Sequence, residues 1–125
     1  MTTRDIGNAG EEFTAKYLLQ KGYTIKATNY TMRGGEIDII AVKDEIIAFV
    51  EVKSRKANSM VSGLEAVTKS KQIHIIKTAQ KYYCETNCNL QPRFDVASVI
   101  IQNGIIKAID YIENAYDVSD TNIIF

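Results

Sequence analysis

Three ionisable side chains occur in two apolar segments of the chain, where a packed strand would need only hydrophobic residues. Asp38 lies in the segment 36–42, and Glu51 and Lys53 lie in the segment 46–53. Because side chains alternate along a strand, Glu51 and Lys53 point to the same face, and Asp38 can reach that face if the hairpin register allows it. Two carboxylates and one amine would then meet at one point of a β-sheet.

Such a group of charges indicates a site for a divalent metal ion and a phosphate. Carboxylates inside a sheet are costly unless they are paired or bound to a cation. Mg²⁺ prefers oxygen ligands, keeps several waters, and is usually held by one or two carboxylates together with substrate phosphate. The alternative is a surface ion pair between Glu51 and Lys53 on the solvent face of an amphipathic strand, worth about 0–1 kcal/mol.

The pattern of apolar residues predicts seven elements that would position these side chains. Apolar residues recur every three to four positions in two segments, which is typical of helices, and the other five segments resemble strands. The predicted elements are a helix over 4–21, strands over 23–30, 36–42 and 46–53, a helix over about 68–84, and strands over 94–102 and 105–111. The order α-β-β-β-α-β-β predicts an α/β fold, with a central mixed β-sheet flanked by helices.

Turn residues separate these segments. Gly34-Gly35, Lys43-Asp44-Glu45 and Asn103-Gly104 predict tight turns, the last of them a two-residue hairpin turn. The polar segments 54–63 and 87–92 predict loops. The acidic segment 112–125 ends in three apolar residues, and a short helix, an edge segment or a frayed end are all compatible with it.

Length and composition indicate one domain over 1–125, with a core at about 4–111 and an acidic tail at 112–125. No apolar run approaches the roughly 20 residues of a membrane span, and the N-terminus lacks the apolar core of a signal peptide. We therefore expect a cytoplasmic protein without a membrane partner. Cys84 and Cys88 predict reduced, inert thiols, and His74 predicts a structural or exposed side chain.

The net charge of zero conceals a basic segment. Residues 53–81 carry seven basic side chains and one acidic side chain, Glu65, whereas the segments before and after are acidic overall. A local basic segment suits a polyanion such as nucleic acid. The alternative is a solvated helix face that happens to carry lysines. The neutral total argues against strong sequence-independent binding to long duplexes.

Several short motifs occur together in an order and spacing typical of one family. They are Gly10-Glu11, Gly35-Glu36-Ile37-Asp38, Phe49-Val50-Glu51-Val52-Lys53 with Arg55, Lys71, and Arg93-Phe94-Asp95-Val96. On these residues the chain resembles the YraN family of predicted endonucleases, over about residues 4–100. That family is similar to the archaeal Holliday junction resolvases within the PD-(D/E)xK nuclease superfamily. Ile37 occupies the position of the proline in the superfamily's name.

The resemblance implies a restriction-endonuclease-like fold and a role for each matching residue. It implies that Asp38 and Glu51 are metal ligands for Mg²⁺ or Mn²⁺ and that Lys53 positions or activates the attacking water. It also implies that Glu11 is an added ligand or a water orienter on the first helix. Arg93 and Asp95 match the family without an assigned chemical role, and a buried ion pair or a strand-end contact is expected there.

The leading hypothesis is a Mg²⁺- or Mn²⁺-dependent endonuclease that acts on DNA rather than RNA, including branched or structured DNA. Four basic residues would contact the phosphate backbone and supply position rather than sequence choice: Arg55, Lys56, Lys69 and Lys71. The resemblance to resolvases also implies a homodimer. Two alternatives stay open, namely a non-catalytic nucleic-acid-binding module and a protein-interaction subunit that uses Ile123-Ile124-Phe125.

Overall fold

A computed structural model describes residues 3–57, 67–119, 121, 123 and 125, without the side chains of residues 3–7. Within this part of the chain, two helices flank one five-stranded sheet, as the sequence predicts. The elements are α1 (Thr3–Gln20), β1 (Thr24–Met32), β2 (Gly35–Lys43), β3 (Ile46–Lys56), α2 (Lys69–Glu85), β4 (Gln91–Gln102) and β5 (Ile105–Tyr116).

The sheet is mixed, and its strands lie side by side in chain order from β1 to β5. The first three strands are antiparallel neighbours, β3 and β4 are parallel, and β5 returns antiparallel to β4. A parallel pair needs a long crossover connection, which here contains α2. The crossover therefore carries the basic end of α2 past the strand that holds Glu51.

The core has two parts, one on each face of the sheet. Phe49, Phe94 and Ile76 belong to the cluster on the α2 face, while Val50 and Leu18 belong to the cluster on the α1 face. All five side chains are at most 3% exposed. Burying an aliphatic or aromatic side chain of this size stabilises a fold by about 1.5–3 kcal/mol, so β3 is anchored from both faces.

The hairpin turns follow the predicted chemistry. Asn103 and Gly104 both have positive φ, at 54° and 75°, as a type I′ turn requires. Gly34 lies in the turn before β2 with φ of 93°, and Asp44 lies in the turn before β3 with φ of 53°. These turns set the registers that bring β1, β2 and β3 together.

Three predicted boundaries are wrong, and each strand is longer than its apolar pattern indicates. The predicted loop over 54–63 begins too early, because β3 continues through Lys56 and pairs with Ile101 of β4. The loop predicted over 87–92 ends at the start of β4, Gln91. The predicted tail over 112–125 starts as strand, because β5 continues to Tyr116, opposite Phe94. Residues 58–63 of the first loop lie outside the described residues.

The end of the chain packs against the domain itself. The Phe125 ring lies 5.3 Å from that of Tyr83 and 5.9 Å from that of Phe94, both at steep interplanar angles. Ile123 also packs against the α2-face cluster. These contacts occupy two of the three apolar residues that the interaction-subunit hypothesis needs, and the third, Ile124, lies outside the described residues.

Two further predictions concern the thiols and the membrane. Cys84 is exposed and Cys88 is half-buried, and both are free, as expected. Neither of the two described helices combines the length and apolar character that crossing a membrane requires.

Candidate functional site

Strands β2 and β3 part at Asp38. Their antiparallel pairing runs from Lys43 opposite Ile46 as far as Ile39 opposite Val50. Beyond this point the backbone pairing stops. Instead, Oδ2 of the Asp38 side chain accepts a hydrogen bond of 2.8 Å from the backbone N–H of Val52. The start of β2 then pairs with β1, and the end of β3 pairs with β4. A notch opens between the two strands, with the Asp38 carboxylate at its base.

Glu51 lies on the other side of this notch and is buried, with 5% of its surface exposed. Two ammonium groups approach its Oε1, Lys53 Nζ at 3.4 Å and Lys71 Nζ at 2.7 Å. Glu51 and Lys53 thus share a face, as strand alternation predicts. The alternative of a solvent-exposed pair is wrong, because the Glu51 carboxylate is enclosed by protein.

The Asp38 and Glu51 carboxyl groups are close enough for the charge of one to act on the other. Burial and the negative charge of Glu51 raise the pKa of Asp38 to about 8, against the opposing effect of the Val52 N–H, and Glu11 raises it further. A carboxyl pair with such mutual repulsion is one that a divalent cation would relieve. Asp38, Glu51 and Lys53 therefore come together as predicted from the sequence, and Glu11 is close enough to act on them.

The two lysines differ in their titration. Burial and the neighbouring Lys71 ammonium lower the pKa of Lys53. Burial is the largest single effect on Lys71 and opposes its charge, but the hydrogen bonds to Glu51 and Lys53 and the charges of Glu51 and Asp38 together raise the pKa of Lys71. Lys71 therefore holds its proton more strongly than Lys53 does.

Helix capping places Lys71 at the carboxylates. Thr68 is the N-cap of α2, and its hydroxyl oxygen accepts a 3.2 Å hydrogen bond from the backbone N–H of Lys71. Such a bond fixes where the first turn of a helix begins. The sequence analysis assigns Lys71 to the phosphate backbone, whereas its ammonium group here is an ion-pair partner of Glu51.

Glu11 reaches the site from α1. In the side-chain orientation that satisfies its hydrogen bonds, the Asn29 amide donates to Glu11 Oε2 at 3.0 Å and to Glu36 Oε1 at 3.2 Å. Gly10 allows the close approach, because a Cβ there would lie 3.0 Å from Ser54 Oγ. The sequence does not predict that Asn29 holds Glu11, because nothing in the sequence distinguishes this residue from the other polar residues of a half-buried strand.

The donor set suits a magnesium-type ion held by two carboxylates. In the described ranges, no group of three or more His, Cys, Asp or Glu side chains is arranged to hold a metal ion. Asp38 and Glu51 offer two oxygen ligands, which matches an ion that keeps several waters and shares substrate phosphate. Lys71 and Lys53 both contact Glu51 Oε1, so a metal ion that binds this oxygen would compete with ammonium groups.

The other predicted phosphate contacts lie apart from the carboxylate pair. Arg55 Nε donates a 2.9 Å hydrogen bond to Ser98 Oγ of β4. Arg55 and Lys56 line a cavity of about 600 Å³ at the far end of β3, next to the turn between β4 and β5. Lys69 is exposed at the first residue of α2.

Arg93 and Asp95 form the buried ion pair that the sequence analysis expects. Asp95 is fully buried and accepts bonds from Arg93 Nε at 2.9 Å, from the Tyr111 hydroxyl at 2.6 Å and from the Asn114 N–H at 2.9 Å. Both carboxylate oxygens are therefore used by protein donors. This cluster ties β4 to β5 and is structural.

Comparison with known proteins identifies the family. The model of the uncharacterised protein family UPF0102 matches residues 10–99, which include Glu11, Asp38, Glu51, Lys53 and Lys71. The chain belongs to the UPF0102 family. This finding confirms the resemblance to the YraN family, which is the same family.

Full-length relatives in the UPF0102 family are similar in size to this chain. A UPF0102 protein of Alkaliphilus metalliredigens is 45% identical over 115 residues, which cover 91% of this chain and 99% of that protein. One of Clostridium perfringens is 50% identical over 98 residues, covering 77% and 80% of the two chains. One of Prosthecochloris aestuarii is 44% identical over 110 residues, covering 85% and 87%. The family thus extends across nearly the whole domain.

Proposed function

We propose that this UPF0102 protein is a Mg²⁺- or Mn²⁺-dependent endonuclease of the PD-(D/E)xK type that hydrolyses phosphodiester bonds in DNA, including branched or structured DNA. The observation that supports it is the convergence of Asp38, Glu51 and Lys53 where β2 and β3 part. A buried carboxylate pair is costly for a fold, so its presence needs a reason, and metal binding supplies one.

Asp38 and Glu51 would hold the ion. When bound, the ion supplies positive charge beside the scissile phosphate and makes a water molecule more acidic. The Val52 N–H holds the Asp38 carboxylate in place from the β3 backbone, which keeps the two ligands at a constant separation.

Lys53 would orient the attacking water and accept its proton. Burial and the neighbouring Lys71 lower its pKa, so this amine passes into its neutral, proton-accepting form more readily than an ordinary lysine does. The water oxygen forms a bond to phosphorus, the bond from phosphorus to the leaving oxygen breaks, and the leaving oxygen takes a proton from solvent. Lys53 then carries the proton released by the water.

Lys71 would act as the counter-ion of Glu51. Its ammonium group neutralises a buried carboxylate that would otherwise face Asp38 without a cation. The remaining predicted contacts, Arg55, Lys56 and Lys69, would hold the phosphate backbone on either side of the site and would supply position rather than sequence choice.

A cleavage screen tests the proposal. Wild type, Asp38→Ala and Lys53→Ala would be incubated with duplex, single-stranded, flap and four-way-junction DNA in Mg²⁺ or Mn²⁺, with Lys107→Ala as a matched control. Lys107 is exposed on β5, two strands from the notch. We expect metal-dependent nicking by wild type and Lys107→Ala only, with DNA binding retained in Lys53→Ala. Equal nicking by Lys53→Ala would reject the role of Lys53.

The second candidate is a nucleic-acid-binding module on the same fold. The observation in its favour is the 2.7 Å contact from Lys71 to Glu51, because an internal cation already neutralises part of the carboxylate pair. This candidate predicts salt-sensitive binding to structured DNA or RNA and no product in either metal with any substrate of the screen.

A further inference from the structure

A second group of basic side chains lies where α2 meets the β1–β2 turn. A cavity of about 510 Å³ opens between the β1–β2 turn and this helix. Among the residues that the structure describes, its lining contains two lysines, one arginine and one histidine, and no carboxylate: Arg33, Gly34, His74, Lys77, Thr78, Gln80, Lys81 and Ile123. None of these residues belongs to the carboxylate site, and none is among the four predicted phosphate contacts.

The cations of this cavity differ from those of the notch in their pairing. In the notch, Lys53 and Lys71 each form an ion pair with Glu51. In contrast, Arg33, Lys77 and Lys81 form no salt bridge with any residue that the structure describes. Like charges that share a cavity repel one another, and a polyanion that enters the cavity removes this repulsion.

The walls of the cavity are held together by a close contact. A Cβ on Gly35 would lie 2.1 Å from Thr78 Oγ1 and 3.2 Å from the carbonyl oxygen of His74. The turn that carries Arg33 can therefore lie directly against α2 because residue 35 is glycine. Since β2 continues from this turn to Asp38, the same contact fixes the basic cavity relative to the carboxylate pair.

The cavity lies farther along α2 than Lys71 does, and at about 100° per residue its two lysines lie about 80–120° around the helix from Lys71. The rise of a helix is 1.5 Å per residue, so Lys77 lies about 9 Å and Lys81 about 15 Å beyond Lys71 along the axis. One strand of DNA carries one phosphate per 3.4 Å of helix axis, so a backbone path that advances about 15 Å along α2 spans about four nucleotides.

We propose that this cavity binds the phosphate backbone of the DNA strand on one side of the scissile phosphate. The inference rests on the proposed function, which it extends by assigning the direction of the bound strand, from the notch along α2 towards the β1–β2 turn. Arg33 suits bidentate contact with one phosphate, and Lys77 and Lys81 act as point charges on its neighbours. The contacts are independent of base sequence.

The test compares two double variants with the same change in net charge. Lys77→Gln/Lys81→Gln removes cations from the cavity, whereas Lys26→Gln/Lys107→Gln removes exposed cations from β1 and β5. Fluorescence anisotropy would give the dissociation constant for a labelled four-way junction and for a single strand at several salt concentrations. Far-UV circular dichroism and urea midpoints would show that both variants are folded.

We expect the salt dependence of DNA binding to be reduced in the cavity variant and unchanged in the control variant. Each lost phosphate contact reduces the slope of log K against log salt by about 0.9 on duplex and about 0.7 on single strands, so two contacts reduce it by roughly 1.4–1.8. Arg33→Gln should reduce the slope by a further single contact. Equal slopes for the two double variants would overturn the inference. An acidic protein segment would then be the occupant that the charge of the cavity suits.

This result is separable from the proposed function. A reduced slope in the cavity variant, together with no cleavage by wild type, would support the cavity and reject the nuclease. Wild-type cleavage with equal slopes would support the nuclease and reject the cavity. An absence of DNA binding by wild type would overturn both.

Discussion

Lys71 Nζ lies 2.7 Å from Glu51 Oε1, closer than Lys53 Nζ, which lies 3.4 Å from the same oxygen. The nearer cation comes from α2, and the farther one lies two residues along the strand of Glu51 itself. A carboxylate with 6% of its side chain exposed is therefore neutralised from two elements. The crossover helix is part of the site's electrostatics as well as of the core.

Removing the Lys71 ammonium should lower the stability of the metal-free protein and raise its affinity for metal. Lys71→Met keeps the apolar length of the side chain but leaves Glu51 with one partner. Because Lys71 is 41% exposed, we expect a loss of about 1–2 kcal/mol in the free energy of unfolding, between the values for surface and buried pairs. We expect tighter Mn²⁺ binding by calorimetry, because one ammonium group fewer competes for Glu51 Oε1. Lys77→Met on the same helix is the control, and weaker Mn²⁺ binding by Lys71→Met would contradict this account.

Asp38 should contribute to the fold separately from its role as a metal ligand. In Asp38→Ala the half-buried Val52 N–H loses its acceptor, and we expect a cost near the lower end of the roughly 1–3 kcal/mol of an unsatisfied buried donor. Asp38→Asn retains an oxygen that can accept this bond and removes the repulsion with Glu51, so it should be the more stable variant in urea unfolding. Both variants should lose Mn²⁺ binding. An equal loss of stability in both would argue against the backbone bond.

The raised pKa of Asp38 predicts that the metal-free protein loses stability as pH rises. Between the ordinary value of 3.8 and about 8, the folded protein holds a proton that the unfolded chain has released. The contribution of this group therefore declines through that window, by at most about 1.4 kcal/mol per pH unit. Urea unfolding in EDTA at pH 5.5 and 7.5 should show a decline in wild type that is smaller in Asp38→Asn. A parallel pH dependence in the two proteins would show that Asp38 is ionised in the fold.

The Arg93–Asp95 pair should affect stability and leave metal binding unchanged. Asp95→Asn keeps the shape of the side chain but leaves the Arg93 guanidinium, only 16% exposed, with the exposed Glu113 at 3.8 Å in place of its buried counter-ion. Breaking a buried pair in this way costs about 3–5 kcal/mol. Thermal unfolding should show the loss, and calorimetry at a temperature where the variant is folded should give the wild-type Mn²⁺ affinity. A change in that affinity would connect this cluster to the notch.

Local patterns in the sequence determine much of the fold. The periods of apolar residues predict all seven elements in order, because amphipathic helices and half-buried strands must present one face to a core. The Asn103-Gly104 turn follows from residues that tolerate positive φ. Strand alternation alone requires Glu51 and Lys53 to share a face, and the short motifs indicate the UPF0102 family.

Strand ends were beyond the reach of those patterns. Lys56 is strand because its backbone pairs with Ile101, and Tyr116 is strand because it lies opposite Phe94. These partners lie tens of residues away or across a bulge, so the hydrogen bonds that extend each strand leave no signal in the local composition. The polar residues at these strand ends therefore predict loops.

By itself, the sequence determined which residue types the protein carries to its site and which element holds each one. Only the tertiary structure decided that β2 and β3 separate at Asp38, that Lys71 reaches Glu51, and that Arg33 shares a cavity with Lys81. The physical reason is that each relationship joins different elements, whose approach depends on the packing of α2 against β2 through Gly35 and Thr78. Periodicity describes one element at a time, whereas charges interact through space.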